Sequence, residues 1–333
     1  MVDARKILKL TLLSNYDVCH EKCRLDLSRV VYHSGGLRLF KCLMSSICRF
    51  DCRYCYNPWR GRERLSPEEF ARVFFALHRR GIADSVFISS GIYSDPENVM
   101  EDILRAGELI RREFGGYMHL KVMPGASRDQ VKRAVELANR VSINAEVAVR
   151  GLFDEVCSVK SRYDVERRAR WISREVSKAG KSCTTQIIVG LGESDRDVLD
   201  FMERWYGIGV KRVYFSPFRA IRGTPYENRR SESRERVVNL YRADWLVRKY
   251  GVDVRRLKEV VDDRFECDPK VLLATKFGVK KATDIPGIGF KAAKALEKAG
   301  SFAKLKRMGF SLKRAAPFLP GQKKLEDYFG SNE

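Results

Sequence analysis

Apolar residues along this chain alternate between two spacings. Short runs at 39–44, 85–91, 118–123, 140–146, 184–189 and 210–215 have the length and the branched, aromatic content of buried strands. Between them, apolar positions recur every three or four residues, the period of a helix with one buried stripe. Ser66-Pro67-Glu68-Glu69 combines a serine cap, a proline at the first helical position and a glutamate three residues on. That start predicts a helix through Phe70, Val73, Phe74 and Leu77. Further helices are predicted over 100–110, 129–139, 163–178 and 195–205, the third with Val165, Ala169, Ile172 and Val176 on one stripe. Six strand–helix units result. Such alternation specifies an α/β fold with a parallel sheet under helices. Six units suit an open, partial (β/α)6 barrel of TIM type rather than a closed barrel of eight.

The pattern changes after Arg219. Residues 219–236 are polar, basic and rich in turn formers, and 237–249 predicts a helix with Leu240, Trp245 and Leu246 facing inward. Cys267-Asp268-Pro269 opens a further helical section, which holds Asp284-Ile285-Pro286-Gly287-Ile288-Gly289-Phe290-Lys291-Ala292-Ala293-Lys294. This stretch resembles a helix-hairpin-helix motif. Gly287 and Gly289 let backbone amides approach a phosphate, and Lys291 and Lys294 supply charge beside it. Such a motif grips the DNA backbone without reading bases. The expected organisation is a core over 1–230, a helical bridge over 231–265, a small all-α helix-hairpin-helix domain over 266–319 and a flexible tail over 320–333.

Charge adds a partner to this picture. The 333 residues carry 64 Lys and Arg against 43 Asp and Glu, a net charge of +21. An excess of that size implies a polyanion, with nucleic acid ahead of an anionic lipid surface because no amphipathic anchor is present. No apolar run is long enough to span a membrane, and Met1-Val2-Asp3-Ala4-Arg5-Lys6 leads into no signal-peptide pattern. A soluble, cytoplasmic, nucleoid-associated protein is expected. Nine cysteines in such a protein point to metal or redox chemistry rather than to disulfides.

The chemistry concentrates in Cys48-Arg49-Phe50-Asp51-Cys52-Arg53-Tyr54-Cys55, directly after the first strand of the repeat. Three thiolates on one tight loop suit three corners of an iron-sulfur cube. No fourth cysteine lies nearby in the sequence, and His33 and His78 stand at no usual zinc-finger spacing, so one iron is left open for a substrate or cofactor. Cys19 and Cys23, with Cys42 further on, are alternative candidates for a second cluster or for ordinary packing.

The spacing Cys-x3-Cys-aromatic-Cys, with Tyr54 before the last cysteine, resembles the signature of the radical S-adenosylmethionine (radical SAM) superfamily. The resemblance implies a 4Fe-4S cluster on Cys48, Cys52 and Cys55, with S-adenosylmethionine on the open iron. It further implies a cofactor site at the carboxyl ends of the strands. There Ser89-Ser90-Gly91 stands where the superfamily often has Gly-Gly-Glu beside the methionine amino group. Asn144 and Glu146 are nominated for the ribose, and Gln186 with Gly190 and Glu193 resembles the adenine-site pattern. Ser216 lies at the last strand end, and Cys183 and Tyr214 are candidates for returning a hydrogen atom. Together with the hairpin, the stretches Ser89-Ser90-Gly91-Ile92, His119-Leu120-Lys121 and Tyr241-Arg242-Ala243-Asp244-Trp245-Leu246 resemble radical SAM proteins of the DNA modification or repair type that end in a helix-hairpin-helix.

The implied activity is hydrogen abstraction from a base or sugar of DNA by a 5′-deoxyadenosyl radical, fed by an unidentified electron donor. Two alternatives are an RNA-modifying radical SAM enzyme and a non-catalytic iron-sulfur DNA-binding protein. The tail favours DNA. Gln322, Leu325, Tyr328 and Phe329 match, position by position, the peptide that binds the sliding clamp of archaea and eukaryotes. One helical turn would put the last three of them on a single apolar face.

Overall fold

The computed structural model describes residues 3–13 and 31–311, with Ala315 and Phe318. Cys19 and Cys23, and the tail positions Gln322, Leu325, Tyr328 and Phe329, lie outside the described residues. The chain divides into two compact units, 1–193 with 201–233 and 194–200 with 234–333.

The first unit begins with α1 (Ala4–Leu13), β1 (Val31–Ser34), β2 (Leu37–Leu43), α2 (Asn57–Arg60), α3 (Pro67–Arg79), β3 (Ser85–Ser89) and α4 (Pro96–Arg111). It continues with β4 (Tyr117–Lys121), α5 (Arg128–Leu137), β5 (Arg140–Glu146), α6 (Arg150–Val156), α7 (Arg162–Lys178), β6 (Ser182–Val189), α8 (Asp195–Gly207, its first turn in the second unit) and β7 (Arg212–Pro217). The predicted start of α3 is present: Ser66 Oγ accepts from the Glu69 amide, and the Glu69 carboxylate accepts from the Ser66 amide. A second such box, Ser127 with Gln130, opens α5.

One sheet runs β1 to β7 in chain order, with β2 to β7 parallel and β1 antiparallel at the edge. Because each strand pairs with its successor, right-handed crossovers lay the connecting helices on one face. The sheet curls into an open half-barrel with those helices outside. The six parallel strands were legible from the apolar runs, whereas β1 was not anticipated. Its signal was Gly35-Gly36, both at positive φ, which form the two-residue turn into β2.

The runs that read as uniformly buried are in fact two-sided. Phe40, Val86, Ile88, Met118, Leu120, Val141, Ile143, Ile187, Val213 and Phe215 are buried on the helix side. The intervening positions, among them Lys41, His119, Lys121, Ser142, Asn144, Gln186 and Ser216, line the concave side. The apolar side carries the stability. Phe74 of α3, for example, is fully buried with its ring centroid 4.9 Å from Phe114 and 6.4 Å from Phe40, and each such side chain contributes about 1.5–3 kcal/mol.

The second unit holds α9 (Arg234–Tyr250), α10 (Val254–Lys258), α11 (Pro269–Phe277), a 3-10 turn (Ala282–Asp284), α12 (Phe290–Ala299) and α13 (Phe302–Arg307). Leu240 and Leu246 of α9 are buried as expected, but Trp245 is 46% exposed. Five residues from Leu240 is about 140° round a helix, off the buried stripe. A full helix was expected ahead of the Pro-Gly-Ile-Gly turn, and a single 3-10 turn stands there instead. Gly287 takes φ +74 in that turn, and Lys270 Nζ donates to the Ile288 carbonyl at 2.8 Å. Ile285, Ile288, Ala293, Leu296 and Leu305 pack together beneath it.

Within the same unit Asp195, fully buried, accepts from Arg236 Nε at 2.7 Å and from the Phe265 amide at 2.8 Å. Removing one partner leaves an uncompensated buried charge. Asp195→Ala is therefore expected to cost about 3–5 kcal/mol, against about 1 kcal/mol for loss of the α3 cap in Ser66→Ala. Denaturant melts of the two variants check the ranking, and equal shifts would show that the buried pair contributes no more than the cap.

Candidate active site

The loop after β2 is tied to the strand ends by its backbone. Met44 donates to the Ser89 carbonyl at 2.8 Å, Gly91 to Ser45 at 2.7 Å and Arg49 to Ile92 at 2.7 Å. A Cβ on Gly91 would stand 2.5 Å from the Ile47 carbonyl oxygen, so this position must be glycine for the loop to lie against β3. Cys55 donates to the Cys52 carbonyl at 3.0 Å, and the Ile92 amide points at Cys48 Sγ at 3.4 Å.

A second loop, between α6 and α7, clasps the first from the other side. The Val156 carbonyl accepts from the Arg53 amide at 3.0 Å, and the Asp51 carboxylate accepts from the Ser158 and Val159 amides at 3.2 and 3.1 Å. Cys157 Sγ lies 3.4 Å from Cys52 Sγ, both buried. The Cys157 hydrogen bond pulls the Cys52 thiol below its ordinary value, and the same bond together with burial pushes Cys157 up. Cys157 Sγ is thus the donor and Cys52 Sγ the acceptor of this contact.

Glu146, at the end of β5, joins the two loops. Its carboxylate accepts from Lys160 Nζ at 2.6 Å and from the Tyr54 hydroxyl, with Lys160 and Glu146 side chains only 7% and 6% exposed. Burial opposes its charge, but Lys160 and Lys121 outweigh that and hold the carboxyl below the usual range. Lys160 is likewise held well above its ordinary value against burial, by Cys52 and Glu146. Burial, reinforced by Glu146, pushes the Tyr54 phenol far up, which leaves it a neutral donor. Glu146 also sits at φ +66, beside a register shift in the β5–β6 ladder. A non-glycine residue there stores backbone strain of order 1–3 kcal/mol, held in place by the buried pair.

These parts enclose one pocket. Cys48, Cys52 and Cys55 line it together with Tyr54, Ser89, Ser90, Gly91, Asn144, Glu146 and Gln186, as do Lys121 and Lys160. Ser89 Oγ is buried without a hydrogen-bond partner among the described residues, an open polar atom suited to a ligand. Soft thiolates with an adjacent amide and thiol donor suit an iron-sulfur cluster. Among the described residues no three His, Cys, Asp or Glu side chains gather round a point tightly enough for one ion.

Other expected residues are elsewhere. Ser216 does not line the pocket and accepts at its Oγ from Nε2 of Gln186, which does, at 3.1 Å. Glu193 closes its own turn, accepting from the Gly190 and Leu191 amides at 2.6 and 3.0 Å, and Gly190 at φ +98 packs against Glu232. Neither lines the pocket. Cys183 is one position out of phase with Gln186, so it faces the helices, and its Sγ lies 3.6 Å from the Gly209 carbonyl. Tyr214 shares the concave face, but its hydroxyl accepts from Arg140 at the start of β5, the end of the strands opposite the pocket. The structure therefore brings neither hydrogen-donor candidate to the pocket. Sequence reasoning missed Cys157 and Lys160, which lie 105 and 108 positions beyond Cys52 with no spacing signal.

Residues 42–204 match the sequence model of the Radical SAM superfamily. No protein of curated function matches the chain. Among solved structures, methylornithine synthase is similar at 20% identity over 74% of this chain and 73% of that one, with a TM-score of 0.50. A radical SAM methyltransferase from Sphaerobacter thermophilus is similar at 15% identity over 63% of this chain and 64% of its own, with a TM-score of 0.50. At such identities these likenesses speak for the half-barrel fold alone. Residues 42–204 thus carry the sequence pattern of the radical SAM superfamily, a family whose cofactors are a 4Fe-4S cluster and S-adenosylmethionine.

Proposed function

We infer that the protein is a radical SAM enzyme acting on DNA, to repair or modify a base or sugar. The observation that carries the enzymatic part is the convergence of Cys48, Cys52 and Cys55 with Tyr54, Ser89, Asn144 and Gln186 round one pocket. The three cysteines would hold the cluster, and the polar residues would hold S-adenosylmethionine. When bound, the group held there would supply one-electron reduction of S-adenosylmethionine, fed by an external donor, with methionine and a 5′-deoxyadenosyl radical as the products. The chain's part is to bind, orient and keep water away. Ser89 Oγ offers an unspent hydrogen bond, and the Tyr54–Glu146–Lys160 group keeps the cysteine loop in one position.

The DNA part rests on charge and on the second unit. A net charge of +21 favours a polyanion. The turn before α12 supports a backbone-gripping role: Gly287 is at positive φ, Gly289 is the cap with no side-chain bond to the helix, and Lys291 and Lys294 are exposed. Lys294 also pairs with Glu297 at 3.1 Å, which leaves Lys291 the stronger candidate for a phosphate. A base inside a duplex would have to be flipped out to reach the pocket, which favours damaged or mismatched sites. The tail residues Gln322, Leu325, Tyr328 and Phe329 would tether the enzyme to a sliding clamp.

Replacing any of Cys48, Cys52 or Cys55 by alanine is expected to abolish cluster absorption and 5′-deoxyadenosine formation. Cys157→Ala is expected to keep the cluster, because a sulfur 3.4 Å from Cys52 Sγ is too close to serve a separate iron. Iron analysis and absorption after anaerobic reconstitution decide it. A full 4Fe-4S cluster in two of the three loop variants would sink the ligand assignment.

Lys291→Glu, or bulky residues at Gly287 and Gly289, should weaken binding to all DNA sequences alike while 5′-deoxyadenosine formation without DNA continues. Anisotropy titrations at moderate salt test this, and an unchanged affinity would move the DNA-binding surface elsewhere. For the tail, calorimetry with an archaeal sliding clamp should give a Kd on the order of micromolar, about −8 kcal/mol, lost in a Tyr328→Ala, Phe329→Ala double variant. No heat and no complex on gel filtration would remove the clamp as a partner.

A further inference from the structure

Below the pocket, toward the strand starts, two successive rows of the concave face carry an unusual charge. Strand register aligns Lys41 with Phe87, Phe87 with His119 and His119 with Arg140. The next row aligns Lys121 with Ser142, Ser142 with Thr184 and Thr184 with Arg212. Alternation along the strands puts both rows on the same side as the pocket residues Ser89, Asn144 and Gln186. The rows are in contact. Lys41 Nζ lies 5.1 Å from the Phe87 ring centroid, and the Phe87 and His119 rings meet edge to face at 4.6 Å. His119 Nε2 is 2.9 Å from Ser142 Oγ, and Arg140 donates to the Tyr214 hydroxyl at 3.2 Å.

Four cations thus come from the parallel strands to this face, Lys41, Lys121, Arg140 and Arg212. The same strands bring one carboxylate to it, Glu146, which Lys121 also stabilises. Two of these cations are buried, Lys41 at 5% exposed and Lys121 at 9%. Burial and then Arg140, Lys41 and Lys121 hold the His119 imidazole well below its ordinary value, so it is a neutral hydrogen-bonding group among them. Arg140 Nε is buried with no hydrogen-bond partner among the described residues. A guanidinium fork with an open donor, flanked by an ammonium, an imidazole and hydroxyls, has the chemistry of a phosphate cradle.

We propose that this floor binds a phosphate of the substrate, so that a nucleotide lies with its phosphate toward Arg140 and Lys41 and its base or sugar toward the cysteine loop. The proposal rests on the nucleic-acid reading of the same site and names the part of the nucleotide that the half-barrel recognises. Lys121 lines the pocket and belongs to the upper row of the floor as well. A radical formed at the pocket would therefore meet a substrate anchored from below.

The test uses full-length reconstituted protein with S-adenosylmethionine, titrated by calorimetry with 2′-deoxynucleoside 5′-monophosphates, the matching nucleosides and inorganic phosphate. Monophosphates should bind about tenfold or more tightly than nucleosides, the usual effect of charged hydrogen bonds. Arg140→Gln and, independently, Lys41→Gln should remove that advantage while cluster absorption and the thermal midpoint are kept. Should one variant fail to fold, the other still decides. Equal binding of nucleosides and monophosphates, or an advantage that survives both substitutions, overturns the floor as a phosphate site. Phosphate binding that is lost in the variants, with no preference for nucleotides over phosphate itself, upholds the floor and overturns the nucleic-acid reading.

Discussion

The active-site half of the molecule depends on one buried carboxylate. Glu146 ends the central parallel strand β5 in a left-handed conformation and accepts from a lysine of one loop and a tyrosine of another. A charge so little exposed is tolerable only if it is fully paired, and the pairing is what positions both loops. Tyr54 stands within the cysteine motif, and Lys160 lies three residues after Cys157. The strained backbone, the ion pair and the phenol hydrogen bond therefore act as one unit. Disturbing any of them loosens the cysteine loop at the same time.

The half-barrel separates stability from chemistry by the simplest device a strand has, its two-residue period. Every second side chain goes under the helices and supplies the hydrophobic core, while the other half faces an interior that can be polar because the sheet does not close on itself. Cys42 and Cys183 fall on the first side; burial raises the Cys42 thiol to about 12 and the Cys183 thiol to about 11, values of inert packing residues. Cys48, Cys52 and Cys55 lie in a loop beyond the strand, where backbone amides and the Cys157 thiol supply hydrogen bonds. The same element type thus has different chemistry according to which side of the sheet it meets.

The second unit stands on different physics. Its hairpin region has a small core of Ile285, Ile288, Leu296 and Leu305, and the turn itself is steadied by Lys270, whose ammonium burial lowers to about 8 while it donates to the Ile288 carbonyl. Gly287 at φ +74 leaves the turn's backbone uncovered by any side chain of its own.

Much of this was legible in the residues alone. The six parallel strands, the helices between them and the caps at Ser66 and Asp268 follow from periodicity and local hydrogen bonding, which act over a few residues. The cysteine loop was equally plain, because its three thiols and Tyr54 lie within eight positions of one another. Local reasoning went astray where a side chain's direction mattered. Trp245 turned outward, Cys183 faced the helices, and Glu193 was engaged by its own turn. Only the tertiary structure set Cys157 beside Cys52, Lys160 against Glu146, and four cations from separate strands in adjoining rows. Strand register and crossover geometry decide those meetings, and residues a hundred positions apart carry no mark of them in their spacing.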